Sequence, residues 1–241
     1  MADDPASPGG EAVMVEIISK ENAHLYADVL HDMFRMRYRV AVGEWGWRIP
    51  GIAPGYDKDD YDRNETVYFA CLDTTETRVV ACGRLNPTTG PHLLRDVFAH
   101  HCQFQETPTG PAIYELSRYV VDRNALSKEE AIAVRARIAA AFNLFCLDAG
   151  IEQVTLLTYL ASYARVVAQW PTRPLGPPIY YPEDKATYVA ALCDMRPEGV
   201  ASIRSTYGLR RDEPHLATRV DGAALAPVRR LRQEIAGALA A

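Results

Sequence analysis

Hydrophobic and polar positions recur along this chain with two different periods, which separate its helices from its strands. From Glu21 onward, apolar residues return at steps of three and four, and this spacing predicts an amphipathic helix. The recurring residues are Leu25, Val29, Leu30, Met33 and Phe34. Arg37 continues the same apolar stripe, and a charge on the buried side of a helix requires a partner or a ligand.

Apolar runs of strand length follow a polar stretch that has no period. Residues 43–64 are dense in Gly, Pro and Asp, and structureless loops of such length inside a compact domain are often functional. The elements predicted next are strands over 67–73 and 77–85, a turn over 86–91, a short helix over 93–98 and a strand over 112–121.

A capping box marks the start of a second long helix. Ser127 is followed three residues later by Glu130, and Gly150 ends the helical pattern. A buried strand over 154–159 follows, so strand, helix and strand make a parallel crossover unit. The remaining predictions are a helix over 162–170, a Pro-rich connector over 171–182, a strand over 187–195 and a weakly patterned tail. We predict one α/β domain with a mixed sheet.

Composition and charge exclude several classes of protein. The net charge of −5 argues against a nucleic-acid partner, and the five scattered cysteines favour free thiols over disulfides or a zinc site. No apolar run approaches the roughly 20 residues of a membrane span, and the acidic start is no signal peptide. We expect a soluble, cytoplasmic protein whose domain covers 13–221, with a disordered segment over 1–12 and an Ala/Arg-rich helix or tail over 222–241.

Charges set within apolar stretches give the strongest indication of a site. Arg84 ends an apolar strand, Glu115 and Arg118 interrupt another, and Asp59 and Asp62 stand three apart in the long loop. Each alone suits a structural ion pair. Together with the arginine of the first helix, they predict a pocket for a polar ligand that carries both charges.

Other candidate sites have less support. His100, His101 and Cys102 are adjacent, and neighbouring side chains point in different directions, so a solvated loop is favoured over a metal site. Ser117 has no triad pattern around it, which argues against a nucleophile. No P-loop is present, and the Gly-rich pyrophosphate turn of common acetyltransferases is missing before the second long helix.

Five motifs follow one another over about residues 25–122. They are FRMRYRV with Trp47 ten residues after Arg37, DKDDYD, GRLNPTTGP, LLRDVF and YELSRYVV. In this order the chain resembles the acyl-homoserine-lactone (autoinducer) synthases of bacterial quorum sensing. The resemblance implies an acetyltransferase-like α/β/α sandwich with a mixed twisted sheet, whose splayed strands admit a pantetheine arm.

The resemblance also implies a reaction in two steps. The amine of S-adenosylmethionine attacks an acyl thioester, and the carboxylate of the product then displaces methylthioadenosine to close a lactone. S-adenosylmethionine is a substrate here, and neither cofactor nor metal is implied. The implied site residues are Glu115, Arg118 and Arg37 for catalysis, Trp47, Asp59, Asp62 and Arg84 for S-adenosylmethionine, and Ser117, Tyr119, Thr155 and Leu157 for the acyl-chain or oxyanion region.

Two positions depart from the family pattern. Ala41 stands where the family usually has Phe, which removes one wall of the S-adenosylmethionine pocket unless Trp45 or Tyr38 supplies a ring. Leu157 stands where synthases of 3-oxo signals often have Thr, which disfavours a 3-oxo acyl chain.

Glu115 poses two physical questions. Arginines nearby would depress its pKa and weaken it as a base, so base and positioning group remain alternatives. Glu115 and Arg118 also have opposite parity, so a regular strand sends them to opposite faces. If both serve one site, a bulge near 116–119 is required.

The acyl donor is left open between acyl carrier protein and acyl-coenzyme A. The missing pyrophosphate turn favours the carrier protein, whereas the overall acidity disfavours it. A basic patch for a carrier is available from Lys128, Arg135, Arg137 and Arg165, although solvated helix faces explain them equally well. Two other functions also stay open: an N-acyltransferase that forms no lactone, and a non-catalytic binding module.

Overall fold

A mixed sheet lies at the centre of the computed structural model, which describes residues 15–165 and 170–207. The described strands are β1 (Val15–Ile18), β2 (Val67–Leu72), β3 (Val79–Pro87), β4 (Ile113–Val121), β5 (Gln153–Tyr159), β6 (Thr172–Pro174), β7 (Ile179–Tyr181) and β8 (Ala186–Asp194). Their order across the sheet is β1-β2-β3-β4-β5-β8-β6, and β7 also pairs with β8. Strands β4 and β5 run parallel, as the predicted crossover requires, and the other pairs are antiparallel.

Helices cover both faces of this sheet. They are α1 (Ala27–Arg37), α2 (Leu93–Asp96), α3 (Lys128–Asp148), α4 (Leu160–Arg165) and α5 (Pro197–Tyr207). A π-helical turn over Tyr38–Glu44 extends α1, and 3₁₀ turns lie at Ala23–Leu25 and Ala99–His101. The predicted capping box starts α3, since the Ser127 hydroxyl accepts from the Glu130 N–H and the Glu130 carboxylate from the Ser127 N–H.

Alternation along β2 shows how the two faces are filled. Phe69 packs on the α3 face beside Phe142 and Phe145, with ring centroids 5.5 and 5.4 Å away. Tyr68 and Ala70 point to the opposite face, towards α1. Each side chain of this size contributes about 1.5–3 kcal/mol when fully buried. The predicted α/β/α sandwich with a mixed sheet is therefore confirmed.

The α1 face carries two apolar clusters instead of one continuous core. The first, under α1, includes Met33, Phe34, Met36, Val40, Tyr68, Cys82 and Val120. The second, beside α2, contains Leu94, Leu175, Ala190 and Leu192, with Phe98, Ile113 and Leu157 packed against it. The charged residues of β3 and β4 lie between the two clusters.

The structure corrects several sequence predictions. The Pro-rich connector contains the short strands β6 and β7, and β1 and α5 were not predicted. The helix expected over 162–170 begins earlier, at Leu160, and residues 166–169 lie outside the described part. The segments 1–12 and 222–241 also lie outside it. Among the described residues, no helix is long and apolar enough to cross a membrane.

Candidate active site

A β-bulge in β4 brings the charged residues of that strand onto one face. Arg84 of β3 pairs with Ser117, whereas Cys82, two residues earlier, pairs with Val120, three residues later. The extra residue lies in β4, where Arg118 has a φ of 51°, in the left-handed region. The predicted bulge is therefore confirmed, and it turns Arg118 to the α1 face, the face of the preceding Glu115.

Three arginines and three aspartates form a closed ring of ion pairs on this face. Every arginine contacts two of the aspartates, and every aspartate contacts two of the arginines. The pairs and their N–O distances are Arg37–Asp57 (3.2 Å), Arg37–Asp62 (2.9 Å), Arg84–Asp59 (2.5 Å), Arg84–Asp62 (3.1 Å), Arg118–Asp57 (3.0 Å) and Arg118–Asp59 (2.7 Å). We call this set the charge ring.

The charge ring is almost completely shielded from solvent. The side chains of Arg37, Asp57 and Asp62 have no exposed surface. Burial opposes the charge on Arg37, but Asp62 and Asp57 outweigh it and raise the pKa of its guanidinium. Burial likewise opposes the charge on Asp62, and its pKa is nevertheless lowered by Arg37 and Arg84. These two members of the ring are thus held in their charged forms, and opposite charges alternate around the ring.

Asp57 is a ring member that the sequence did not reveal. Its carboxylate accepts two hydrogen bonds from Arg37 and two from Arg118, so it joins the first helix to the bulge. The segment DKDDYD contains four aspartates, and the resemblance selected only two of them. Tyr56, directly before Asp57, packs against the ring of Phe34 on α1, a tertiary contact that the sequence pattern does not indicate.

Aromatic rings border the charge ring on one side. The indole N–H of Trp47 donates to the Tyr159 hydroxyl at 3.0 Å, and the guanidinium carbon of Arg118 lies 5.9 Å from the Trp47 ring centroid. Trp45 stands edge-on to Trp47 with ring centroids 5.1 Å apart. The Trp45 ring therefore lies next to Trp47. That position is compatible with the prediction that Trp45 supplies the pocket wall that Ala41 lacks.

Glu115 lies outside the charge ring, in a separate pocket under α2. Its two carboxylate oxygens accept hydrogen bonds from the backbone N–H groups of Leu93 and Leu94, at 2.9 and 2.5 Å. Burial raises the pKa of this carboxyl, and the two N–H groups and Arg84 offset only part of that rise. The expectation of a depressed pKa for Glu115 was wrong, because burial outweighs the lowering by Arg84.

The other predicted site residues fall on both faces of the sheet. The Ser117 hydroxyl accepts from Arg84 Nε at 2.9 Å, which places it beside the charge ring. Thr155 and Leu157 of β5 lie on the same face as Glu115, whose register partner is Thr155. Tyr119 does not join them, because it follows the bulge and donates its hydroxyl hydrogen to the Arg135 carbonyl of α3.

Strands β4 and β5 separate just beside the bulge. Their parallel pairing covers four residues of each strand and ends at Leu116 and Leu156. β4 nevertheless continues to Val121 and β5 to Tyr159. The two strands diverge there, which is the cleft that the resemblance implied for a pantetheine arm.

Comparisons with known proteins identify the family of this chain. The family model described as autoinducer synthase matches residues 21–197. The isovaleryl-homoserine lactone synthase of Bradyrhizobium diazoefficiens is 34% identical over 208 residues, which cover 84% of this chain and 91% of that protein. The chain belongs to the autoinducer synthase family, and its predicted activity as an acyltransferase of the acyl-homoserine-lactone synthase type is confirmed.

Solved structures show the same relationship. BjaI, a coenzyme A-dependent acyl-homoserine lactone synthase solved with S-adenosylmethionine and isopentyl-coenzyme A, is 32% identical, with a TM-score of 0.75. The match covers 90% of this chain and 98% of BjaI. MesI, a second coenzyme A-dependent synthase, has a TM-score of 0.71 and 26% identity, over 81% of this chain and 96% of its own.

Proposed function

We propose that this enzyme joins S-adenosylmethionine to an acyl group delivered as acyl-coenzyme A. The observation that supports the proposal best is the juxtaposition of an electrically balanced charge ring, a separate buried Glu115 and a cleft between β4 and β5. The amine attacks the thioester carbonyl, the C–S bond breaks, and an amide forms. The carboxylate oxygen then attacks the γ-carbon and expels methylthioadenosine, and this sequence balances without a cofactor.

We place S-adenosylmethionine against the charge ring, on the side that Trp47 borders. Arg84 Nη2 is buried and has no hydrogen-bond partner, so it is available to the substrate carboxylate. The partly exposed ring of Trp47 suits the sulfonium, which aromatic faces attract. Asp59, which keeps 7% of its side-chain surface exposed, is the ring acid best placed for the cationic end.

Glu115 suits the role of general base in the acylation step. Its carboxylate is oriented by two backbone N–H groups, and burial raises its pKa towards that of the substrate amine. An α-amino group has a pKa of about 7.7–8.0, and the neighbouring sulfonium lowers it, so a mild base is sufficient. Arg37 and Arg118 act differently, by fixing the aspartates that face the substrate.

The proposal also specifies the acyl donor, for which acyl-coenzyme A and an acyl carrier protein are the alternatives. The missing pyrophosphate turn favours a carrier protein, but BjaI and MesI, matched over 98% and 96% of their lengths, are both coenzyme A-dependent. Leu157 packs against an apolar cluster with Leu94 and Leu192, and it offers no hydroxyl to a 3-oxo group. We therefore expect a short or branched acyl chain without a 3-oxo group, transferred in the cytoplasm, where both substrates are made.

Product mass spectrometry tests the whole proposal. The full-length protein is mixed with S-adenosylmethionine and a panel of acyl groups, each supplied once on coenzyme A and once on acyl carrier protein. We expect a lactone and methylthioadenosine from short or branched acyl-coenzyme A. An amide product without methylthioadenosine would identify an N-acyltransferase that forms no lactone, and binding without turnover would identify a binding module.

A further inference from the structure

His92 directly precedes Leu93 and Leu94, whose N–H groups donate to Glu115, and the proposed acylation step does not use its ring. The side chain is fully buried. Its Nδ1 lies 2.9 Å from the Gly90 carbonyl oxygen, so Nδ1 carries the hydrogen and donates it. Nε2 then presents a lone pair, and it is buried without a hydrogen-bond partner. Buried polar atoms are normally paired, so an unpaired acceptor beside an active site indicates a function.

Two carboxylates interact with this imidazole, and two guanidiniums lie beside the groups that it contacts. Glu115 on β4 and Asp96 on α2 both interact electrostatically with it, and the Asp96 carboxylate also accepts from the His92 backbone N–H at 3.1 Å. Arg63 packs against the turn before His92, and Arg84 acts on Glu115 from β3. The carboxylates that interact with this imidazole therefore come from two elements, β4 and α2.

We propose that His92 is a positioning residue that stores, through Glu115, the proton released from S-adenosylmethionine. The inference rests on the proposed function. The N–H bond of the substrate ammonium breaks as an O–H bond to Glu115 forms. The proton then passes through a bridging water molecule to Nε2, which no protein atom contacts by a hydrogen bond, and this restores the carboxylate. When the C–S bond of the thioester breaks, the departing thiolate takes the same proton back through Glu115.

Two substitutions separate the nitrogen atoms of the ring. His92→Asn keeps an N–H donor near the position of Nδ1, where it reaches the Gly90 carbonyl, and removes Nε2. His92→Gln places an amide near Nε2, which forms hydrogen bonds but does not accept a proton at neutral pH. His101→Asn is the matched control, because His101 is also fully buried but contacts Tyr181, away from Glu115.

Single-turnover acylation, followed as thiol release across a pH series, is the measurement. We expect His92→Asn to slow acylation by about 10–100-fold at neutral pH, below the full range of a general base. The deficit shrinks as pH rises, since an amine that is already neutral releases no proton. Affinity for S-adenosylmethionine stays unchanged, His92→Gln is equally slow, and His101→Asn keeps the wild-type rate.

Several results would overturn the inference. They are a wild-type pH profile in His92→Asn, full rescue by His92→Gln, or a deficit that is the same at every pH. If His92→Asn lowers the melting temperature too far for assay, the pH profile of His92→Gln decides. A wild-type chain that makes no lactone contradicts the proposed function instead, so the two failures are distinguishable.

Discussion

The two faces of the sheet solve different physical problems. On the α3 face, one apolar cluster runs from β1 to β8, and side chains such as Ile138 and Phe142 fill it without a charge among its members. On the α1 face, two smaller clusters flank the charge ring and Glu115. The first face gains free energy from burial, whereas the second uses part of its area to hold charges out of water.

That difference separates stability from catalysis. Burying charges is costly unless each has a partner, and replacing buried ion pairs by apolar residues often leaves stability unchanged or raises it. The charge ring is therefore weak evidence for stability and stronger evidence for a site that must present fixed charges to a substrate. Substitutions on the α3 face should change stability alone, and those on the α1 face should change turnover.

The largest effect is expected from Arg37→Ala. It leaves Asp57 and Asp62 each without one cationic partner, and breaking a buried pair costs about 3–5 kcal/mol of unfolding free energy. Lactone formation is lost as well, because two aspartates shift. Denaturant titration and product analysis measure both quantities.

Arg39→Ala is the control for that change. Arg39 is half-exposed, and the buried carboxylate of its partner Asp122 keeps two backbone N–H donors, from Asn124 and Ala125. The loss of Arg39 therefore costs about 1 kcal/mol and leaves turnover intact. Wild-type turnover by the Arg37→Ala protein would show that the charge ring is not part of the active site.

The next largest effect is expected from Glu115→Gln, which keeps the shape of the side chain but not its proton affinity. Acylation slows by about 10²–10⁴-fold with little change in S-adenosylmethionine affinity. Because burial raises the pKa of Glu115, the wild-type rate falls with decreasing pH at values above the usual glutamate pKa of about 4.3. The variant lacks this acidic limb.

Exposed Glu152, directly before β5, provides the comparison through Glu152→Gln, which should have no effect on acylation. If Glu115→Gln instead weakens S-adenosylmethionine binding and also disturbs lactonisation, Glu115 is a positioning group and not the base.

A smaller effect, on the opposite face, is expected from Ile138→Val. Deleting one buried methyl group from α3 lowers the free energy of unfolding by about 0.5–1.5 kcal/mol. The rate of lactone formation should match wild type at a temperature where both proteins are folded. A clear loss of rate would show that the two faces are not independent.

The smallest effect is expected from Tyr159→Phe. The hydroxyl that accepts from Trp47 is removed, and a net hydrogen bond of this kind is worth about 0.5–1.5 kcal/mol. Calorimetry should show S-adenosylmethionine affinity reduced about two- to tenfold. Tyr180→Phe, which removes a hydroxyl from an exposed side chain of β7, should leave the affinity unchanged.

Periodicity and parity predict much of this architecture. The capping box locates α3, and the opposite parity of Glu115 and Arg118 predicts the bulge in β4. Both rules are local, so they do not depend on the rest of the fold. The short strands β6 and β7 escape such rules because each has only three residues within a proline-rich connector, and their pairing with β8 is a tertiary effect.

The sequence predicts most of the residues that form the site, but not how they are arranged. Motif order identifies the charged residues but not which of them pair, because the partners of Arg37 lie twenty and twenty-five residues away in an aperiodic loop. The wrong expectation for the pKa of Glu115 also has a tertiary origin, because the burial that raises this pKa depends on how α2 covers β4. Asp57 and His92 were missed because nothing in their immediate neighbours distinguishes them.

The closed form of the charge ring has a consequence for how this enzyme is able to diverge. Each member pairs with two residues of the opposite charge, so a single replacement leaves both of them without one partner. A tolerated change therefore requires compensating changes at two other positions. Leu157, by contrast, packs against an apolar cluster and carries no charge, so it is free to vary by one methyl group at a time. New signal molecules should therefore arise by drift along the acyl cleft, while the ring is inherited as one indivisible unit.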